Sequence, residues 1–428
     1  MTSLDPVFDG RTKGFPHAAG ALALSQIGAR RWRLLAEDLP LPAAVLKTST
    51  LDGNGRWMRA FVDASGARLA PHGKTTMSPE LFARQLADGA WGLTVADARQ
   101  MRIASLAGAA RIVVGAEVVS VQDLAYIAGA LASDPALDLF MLADSVEGVR
   151  RLSAAMVAAG SPSRLNVLVE IGYAGGRAGC RDAAAALAVA RAVGEAPGLA
   201  LAGVEAFEGL NQSLPADEGA ARVTALLDDV ANAALQIDAA GLFARPEVIL
   251  SAGGSAFFDL VTRRLGAVRL SRPSFVLLRS GCYLSHDIGL YERSYAQLLD
   301  RSPEARALPG RLENALEVWA YVISRPEPGR AILGAGRRDI GADAGLPRPL
   351  WRYRPGASSR PAAAGPSWEV AQLNDQHAHM VFDAADDVAV GDMVALGPSH
   401  PCSTFDRWRL IYLVDDDYAV SGAIQTCF

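Results

Sequence analysis

The sequence predicts an α/β protein with a (β/α)8 barrel followed by a smaller β-rich domain, and three observations support this fold class. Apolar runs of strand length alternate with alanine-rich stretches of helical period, and this unit occurs eight times between about residues 67 and 285. The apolar runs are continuous, as is typical of parallel strands buried on both faces. The pattern ends near residue 300, where glycine, proline and arginine become frequent. An open, doubly wound sheet is the alternative fold.

The eight predicted strands are separated by segments with clear helix signals. The strands are ARLAP, WGLTVA, RIVVGA, LDLFMLA, LNVLVEI, LALAGVEA, EVILSA and SFVLLRSG. Ser78 is followed by proline and glutamate, and Ser120 has an aspartate three residues later, so each serine is expected to cap a helix. Gly89 and Gly108 are expected to close two of the helices.

The remainder of the chain has a different character. Short apolar segments such as DMVAL and LIYLV occur there without long helical stretches, and RYRPGASSRPAAAGP is predicted to be an exposed loop. We therefore place the barrel domain at residues 30–300 and a β-rich domain at residues 301–428, with residues 1–29 expected to pack on the second domain.

Composition excludes several classes of protein. A net charge of -5 over 428 residues, without a basic cluster, argues against a nucleic-acid partner. No apolar run approaches the length of a membrane span, and the opening MTSLDPVFDGRTKGF lacks a hydrophobic signal region. We therefore expect a cytoplasmic protein without a membrane partner. The four cysteines are too few and too scattered for a disulfide framework.

Lysine is rare in this chain, and one lysine lies at a position of special interest. Only three of the 41 basic residues are lysines, namely Lys13, Lys47 and Lys74. Lys74, in APHGKTTMSPELF, follows the first predicted strand, and barrel enzymes gather their reactive groups at the carboxyl ends of the strands. A lysine amine can act as a nucleophile or base, which a guanidinium cannot. Lys74 is therefore a candidate catalytic residue, although a solvated surface lysine is the usual alternative.

A glycine-rich turn, SAGGS, follows the seventh predicted strand. It runs from Ser251 to Ser255 and is expected to open a helix near Ala256. Backbone N–H groups of Gly253 and Gly254 could converge on an anion there, and barrels commonly hold phosphate after strands seven and eight. A plain tight turn is the alternative. Together with the isolated lysine, a phosphate site points to pyridoxal phosphate held as a Schiff base.

The histidines of the second half are the other candidate site residues. NDQHAHM contains His377 and His379, and GPSHPCSTF contains His400 and Cys402. In an extended segment, side chains two residues apart point the same way, so His400 and Cys402 could both reach one metal ion. A surface histidine and a buried cysteine are the alternative. Nitrogen with thiolate favours zinc.

Several of these segments occur together in one known family. LAPHGKTTMSPELFARQLADGAWGLTVADARQ resembles the first strand and cofactor-lysine segment of the fold-type III pyridoxal-phosphate enzymes of the D-serine dehydratase and D-threonine aldolase group, relatives of alanine racemase. The similarity continues through EIGYAGGRAGC, GVEAFEG, SAGGSAFFD, RSGCY and PSHPC. It covers nearly the whole chain, and within the group it looks most like the bacterial amino acid deaminases.

The resemblance implies a role for particular residues. Lys74 would be the Schiff-base lysine, His72 an active-site residue, and Arg177 would lie beside the cofactor ring. The further cofactor-binding residues would be Ser251, Gly253, Gly254, Ser255 and Tyr283. Two departures from the group concern Phe207, where tyrosine is usual, and residues 115–117, where an asparagine is usual.

The resemblance also bears on the metal site. Dehydratases of this group use a His-x-Cys pair for zinc, whereas the D-threonine aldolases have aspartate in the cysteine position and take harder ions. His400 and Cys402 would accordingly bind zinc, with two ligands leaving room for substrate or water. His377 resembles a histidine of the group's EEH motif and is a further catalytic candidate, and His379 is expected to be a bystander.

These expectations favour a dehydratase that converts β-hydroxy D-amino acids to a 2-keto acid and ammonia. A D-threonine aldolase that releases glycine and an aldehyde is the first alternative, since the fold does not choose between the two reactions. A non-catalytic pyridoxal-phosphate carrier is the second. The resemblance further implies a small-molecule amino acid substrate and a homodimer.

Overall fold

A computed structural model describes residues 5–428 of the chain, apart from the side chain of Ser213. The chain begins with an antiparallel pair, β1 (Val7–Phe8) and β2 (Leu22–Ala23), followed by β3 (Ala43–Lys47). Lys13 Nζ lies 3.1 Å from Asp339 Oδ1 and 3.8 Å from the centre of the Trp408 ring. The first part of the chain is therefore attached to residues far along the sequence.

Eight strands and ten α-helices follow. In chain order they are α1 (Thr48–Ser65), β4 (Arg68–Leu69), α2 (Pro79–Ala87), β5 (Leu93–Val95), α3 (Ala98–Leu106), β6 (Arg111–Val114), α4 (Val121–Ser133), β7 (Asp138–Ala143), α5 (Val146–Ala159), β8 (Leu165–Ile171), α6 (Ala183–Glu195), β9 (Leu199–Ala206), α7 (Ala216–Ala239), β10 (Val248–Ser251), α8 (Phe258–Leu265), β11 (Ser274–Leu278), α9 (Leu290–Arg301) and α10 (Pro303–Arg306).

The eight strands from β4 to β11 form one parallel sheet that closes on itself. Each strand from β5 to β10 pairs with the next, and β11 pairs with β4. Between β4 and β5, His72 and Thr94 form a parallel bridge, and Trp91 N donates to Leu69 O at 2.7 Å. The predicted barrel is therefore confirmed, and the open doubly wound sheet is excluded. All eight predicted strands are present.

Local signals place the helices as expected, with one shift. The hydroxyls of Ser78 and Ser120 accept the N–H groups of residues three positions later. Gly89 and Gly108 have φ values of 97° and 92°, a left-handed conformation that suits glycine after a helix. The helix expected near Ala256 instead begins at Phe258.

The barrel interior is packed, which leaves its carboxyl-terminal end as the place for a site. The buried side chains that fill the interior are Ala70, Val113, Phe140, Leu142, Leu168, Ala202, Ile249 and Leu277. At the opposite end, the Trp91 ring lies 5.4 Å from that of Phe140 and 5.7 Å from that of Phe275. These aromatic contacts close the amino-terminal end.

The last part of the chain is β-rich. Its elements are β12 (Leu316–Glu327), β13 (Arg330–Leu333), β14 (Arg348–Tyr353), β15 (Ala362–Ala363), β16 (Glu369–Leu373), β17 (Ala378–Val381), β18 (Met393–Gly397), α11 (Cys402–Phe405), β19 (Leu410–Val414) and β20 (Val420–Gln425). Seven strands run in the order β15-β14-β18-β12-β13-β17-β16, and β3 links β12 to β19. β3 thus hydrogen-bonds to this sheet although it lies within residues 30–300, so the division at residue 301 stays a prediction.

Within residues 5–428, every helix is too short or too polar to cross a membrane.

A buried carboxylate ties β3, β12 and β14 together. Glu317 accepts hydrogen bonds from the indole N–H groups of Trp319 at 2.8 Å and Trp351 at 3.0 Å, and from the Tyr418 hydroxyl at 3.0 Å. Lys47 Nζ lies 3.8 Å from the same carboxylate. Trp319 and Tyr418 are buried, so loss of the carboxylate would leave at least two buried donors without this partner.

Replacing Glu317 by alanine is therefore expected to lower the free energy of unfolding by about 3–5 kcal/mol, the cost of breaking a buried charge pair. Denaturant titration followed by tryptophan fluorescence measures this change. Glu327→Ala, which alters an exposed residue of the same strand, serves as the control. A loss below about 1 kcal/mol, as is usual for a surface pair, would contradict the structural role of Glu317.

Candidate functional site

A cavity of about 360 Å³ lies at the carboxyl-terminal end of the barrel, where residues of the β-rich part cover it. Its volume falls within the range of about 300–1,000 Å³ typical of ligand pockets. Seven of the predicted site residues line it, namely His72, Lys74, Arg177, Gly254, Ser255, His400 and Cys402. The structure thus brings the predicted cofactor and metal residues to one place.

Lys74 lies in a single helical turn directly after β4. The Nδ1 atom of His72 caps this turn by accepting the Lys74 N–H at 3.4 Å. Gly281 packs against the backbone of His72 so closely that a Cβ atom would collide with it. The turn is therefore fixed between the first and eighth strands.

The amine of Lys74 differs from the other two lysines. Lys13 and Lys47 each form an ion pair, with Asp339 and Glu317 respectively. Within residues 5–428, no carboxylate lies within 4.0 Å of Lys74 Nζ. An amine without a carboxylate partner at a cavity wall is free to react with a carbonyl group.

His72 stands beside this lysine in its neutral form. Desolvation, with the charges of Lys74, Arg279 and Arg177, lowers the pKa of His72 well below its ordinary value. A neutral imidazole that already accepts a hydrogen bond at Nδ1 carries its proton on Nε2. His72 can therefore donate one hydrogen bond into the cavity.

Two arginines provide positive charge at the barrel end of the cavity. Arg177 packs over the ring of Phe207 at 4.5 Å and lies 3.7 Å from a Glu170 carboxylate oxygen. Arg279, which the sequence did not single out, is buried, pairs with Glu205 and donates to a backbone carbonyl at 3.0 Å. Phe207 supplies an aromatic wall of the cavity.

Buried carboxyl groups lie behind these arginines. Burial and a hydrogen bond to Glu170 raise the pKa of Glu117 to about 8. Burial also raises the pKa of Glu205 to about 7, despite the nearby charges of Arg279 and Arg177. At neutral pH this cluster therefore holds protons, and it limits the net negative charge beside the cavity. Of the segment 115–117, Gly115 lines the cavity, while Glu117 interacts with Glu170.

The glycine turn after β10 already binds a carboxyl group of the chain itself, that of the buried Glu208, whose pKa is raised by burial. The Glu208 carboxylate accepts the N–H groups of Gly253 at 3.1 Å and Gly254 at 2.7 Å. Gly253 has a φ of 103°, a left-handed conformation that suits glycine. The N–H groups of the turn thus form a cradle for a carboxyl group, and a phosphate that used these two N–H groups would displace Glu208.

At the other end of the cavity, three soft ligand atoms converge. The donor atoms of Cys282, His400 and Cys402 lie within 4.8 Å of one another. The Sγ atoms of the two cysteines are 3.7 Å apart. Thr75 Oγ1 is 3.4 Å from Cys282 Sγ and 3.5 Å from Cys402 Sγ. The prediction that His400 and Cys402 lie in an extended segment is wrong, because Cys402 begins α11, yet both side chains reach the cavity.

A carboxylate orients the histidine of this group. His400 Nδ1 lies 2.6 Å from Asp343 Oδ2, which leaves Nε2 for another partner. The Ser403 hydroxyl donates to the other oxygen of Asp343. Hydrogen bonds from Cys402, His400 and Thr75, among others, hold the pKa of the Cys282 thiol well below its ordinary value although burial opposes this. A carboxylate that orients a histidine is the usual outer partner of a metal site.

Four predicted site residues are not part of the cavity wall. His377 is exposed on the turn between β16 and β17. Ser251 is buried and donates to Leu277 O at 3.0 Å, while the buried Tyr283 hydroxyl accepts a hydrogen bond from Gln85 at 3.4 Å. Gly253 lies behind Gly254.

The cavity residues fit both the phosphate-bearing cofactor and the metal ion that the sequence predicts. A free amine, two arginines and an anion-binding turn match an aldehyde cofactor that carries a phosphate. Two sulfurs and an imidazole match a borderline-soft divalent ion such as zinc.

Comparisons with known proteins agree with this geometry. A family model described as "Alanine racemase, N-terminal domain" matches residues 46–270, and one described as "Putative serine dehydratase domain" matches residues 315–414. D-threonine aldolase of Arthrobacter sp. is 30% identical over 88% of this chain and 89% of its own length. D-threo-3-hydroxyaspartate dehydratase of Delftia sp. (strain HT23) is 26% identical over 91% of this chain and 96% of its own.

A solved structure adds to these similarities. The crystal structure of D-threonine aldolase from Filomicrobium marinum matches with a TM-score of 0.76 and 26% identity, covering 91% of this chain and 95% of the other. Both parts of the chain therefore have counterparts in one known architecture.

Proposed function

Because the chain belongs to the alanine racemase-like family of pyridoxal-phosphate lyases that includes D-threonine aldolase and D-threo-3-hydroxyaspartate dehydratase, we propose that it dehydrates β-hydroxy D-amino acids to 2-keto acids and ammonia. D-serine and D-threonine are the proposed substrates. The observation that supports this proposal is the single cavity that places Lys74 near His400 and Cys402.

Different cavity residues would hold the cofactor and the metal ion that the reaction needs. Lys74 would hold pyridoxal phosphate through its amine, with Arg177 beside the ring. Gly254 and Ser255, at the cavity wall, would take the phosphate together with Gly253 behind them. His400 and Cys402 would hold a divalent ion, with zinc favoured because one ligand is a thiolate.

When bound, the cofactor withdraws electrons from the substrate Cα and the ion polarises the β-hydroxyl. Lys74 Nζ takes the proton from Cα, as its position at the cavity wall and its lack of a carboxylate partner allow. His72 holds the Lys74 turn and keeps a neutral imidazole beside the amine. Arg177 and Arg279 supply positive charge for the anionic groups of cofactor and substrate.

A retro-aldol reaction is the second candidate. The observation in its favour is the 30% identity with D-threonine aldolase over most of the chain. In that reaction the β-hydroxyl loses its proton, and the Cα–Cβ bond breaks to give glycine and an aldehyde. Cys402 favours dehydration, because D-threonine aldolases resemble this site with aspartate in the cysteine position.

Product analysis separates the two reactions. Purified protein loaded with pyridoxal phosphate and zinc is incubated with D-threonine, and the products are identified by mass spectrometry. We expect 2-oxobutanoate and ammonia in equal amounts. Glycine and acetaldehyde as the only products would establish the aldolase instead, and the absence of any product would contradict both reactions.

We further propose a cytoplasmic homodimer that acts on a small amino acid substrate. This proposal derives from the family resemblance. Light scattering on the purified protein should give twice the mass of one chain, and a monomeric mass would contradict it.

A further inference from the structure

Cys282 connects the two ends of the cavity. It lies in the turn after β11, on the barrel, whereas His400 and Cys402 come from the β-rich part of the chain. Its side chain is buried, with 4% of its surface exposed, and its sulfur faces Cys402. The sequence pointed only to His400 and Cys402 as a metal-binding pair.

The spacing of the three donor atoms matches a zinc site. Two sulfurs at about 2.3 Å from a tetrahedral zinc ion lie roughly 3.8 Å from each other. The Sγ atoms of Cys282 and Cys402 are 3.7 Å apart. The His400 donor atom lies within 4.8 Å of both sulfurs, so one ion could reach all three with small side-chain adjustments.

We infer that Cys282 is a third protein ligand, so that the site is a Cys2His zinc site with one open position. This inference rests on the proposed function, since it concerns the ion which that function requires. Catalytic zinc commonly has three protein ligands and a fourth position for water or substrate. Two thiolates and an imidazole favour zinc over magnesium or manganese, which prefer oxygen ligands.

A ligand at this position also couples the metal to the cofactor residues. The Cys282 N–H donates to Ser255 Oγ at 3.3 Å, and Ser255 is a proposed phosphate ligand. Thr75, the residue after Lys74, contacts both cysteine sulfurs. An ion on Cys282, His400 and Cys402 therefore joins the barrel to the β-rich part beside the cofactor lysine.

X-ray absorption at the zinc edge tests the inference without reference to activity. The full-length protein, loaded with pyridoxal phosphate and one equivalent of zinc, should show two sulfur neighbours at about 2.3 Å. Cys282→Ser should reduce this number to one, while Cys427→Ser, which alters a cysteine remote from the cavity, should leave it at two. One sulfur neighbour in the unaltered protein would overturn the role of Cys282.

A second measurement does not depend on the spectrum of zinc. Cobalt bound by two thiolates gives a near-ultraviolet charge-transfer band, and Cys282→Ser should reduce its intensity by about half. Zinc affinity, measured by competition with a coloured chelator, should fall at least about tenfold, the lower limit for losing even an outer partner of a metal ligand. Unchanged affinity and band intensity in a folded Cys282→Ser protein would also overturn the inference.

These measurements distinguish a failure of the proposed metal site from a failure of the role of Cys282 alone. If the protein binds no zinc at all, the metal site of the proposed function fails together with the role of Cys282. If zinc binds with one sulfur neighbour and the enzyme turns over D-threonine, only the role of Cys282 fails.

Discussion

Replacing Lys74 by arginine is expected to abolish the yellow colour of the cofactor-loaded protein and to lower turnover of D-serine and D-threonine by more than about a thousandfold. A guanidinium stays protonated and cannot form the covalent link that an amine forms with an aldehyde. Lys74 is the lysine at the cavity wall, and within residues 5–428 it has no carboxylate within 4.0 Å. Absorbance of the loaded protein and the rate of ammonia release measure the two effects.

Borohydride reduction followed by peptide mapping identifies the lysine that carries the cofactor. The reduced cofactor should be found on Lys74. Lys13→Arg is a suitable control, because Lys13 is remote from the cavity and pairs with Asp339, which arginine can also do. A label on Lys13 or Lys47, or an unlabelled Lys74, would show that the cofactor assignment is wrong.

Removal of the metal is also expected to lower turnover strongly. Exhaustive chelation should lower turnover of β-hydroxy substrates by more than about a hundredfold, because hydroxide is a poor leaving group without a Lewis acid. The cofactor colour should remain, since Lys74, Gly254 and Ser255, the residues proposed to hold the cofactor, are not among the proposed metal ligands. Added zinc should restore the rate. Full activity in protein shown to contain no metal would refute the Lewis-acid role.

Variants at Cys402 refine this prediction. Cys402→Ser should weaken zinc binding, because a neutral hydroxyl is a poorer ligand than a thiolate. Cys402→Asp should favour manganese or magnesium and shift the products of D-threonine toward glycine and acetaldehyde. His17→Ala, which changes an exposed histidine, should leave metal content and products unaltered.

The barrel could be predicted because its physical signals are local. Buried parallel strands are uninterrupted apolar runs, and capping serines and glycines mark the helix ends. β3 escaped prediction because its segment, AAVLK, is short and its partners β12 and β19 lie more than 250 residues away. Only the pairing itself shows that this strand belongs to the second sheet.

Site residues, too, could be predicted where the signal lies in the nearby sequence and not where it depends on a distant contact. Lys74, Arg177 and Ser255 could be found because the end of each barrel strand marks the cavity. Cys282 also follows a strand, in RSGCY, and the same rule could have identified it. Asp343 has no sequence signal, since its contact with His400 joins residues 57 positions apart.

Glu208 shows that the occupant of a binding turn cannot be predicted from the sequence of the turn. The glycine turn was predicted to bind a phosphate, and in the structure its N–H groups bind the carboxyl group of Glu208, which follows the neighbouring strand β9. Sequence patterns identify a cradle of N–H groups without showing what occupies it. For His377, similarity to a family motif predicted a place at the site, whereas the structure places this residue on an exposed turn.

The central claim is that Lys74 and a neighbouring metal act together on β-hydroxy D-amino acids. The most direct test compares D-threonine with L-threonine as substrates of the protein loaded with pyridoxal phosphate and zinc, by total release of 2-oxobutanoate and glycine. Because the family resemblance implies that Lys74 faces the Cα hydrogen of the D-enantiomer, we expect turnover of D-threonine and none of L-threonine. Efficient turnover of L-threonine with D-threonine inert would contradict it.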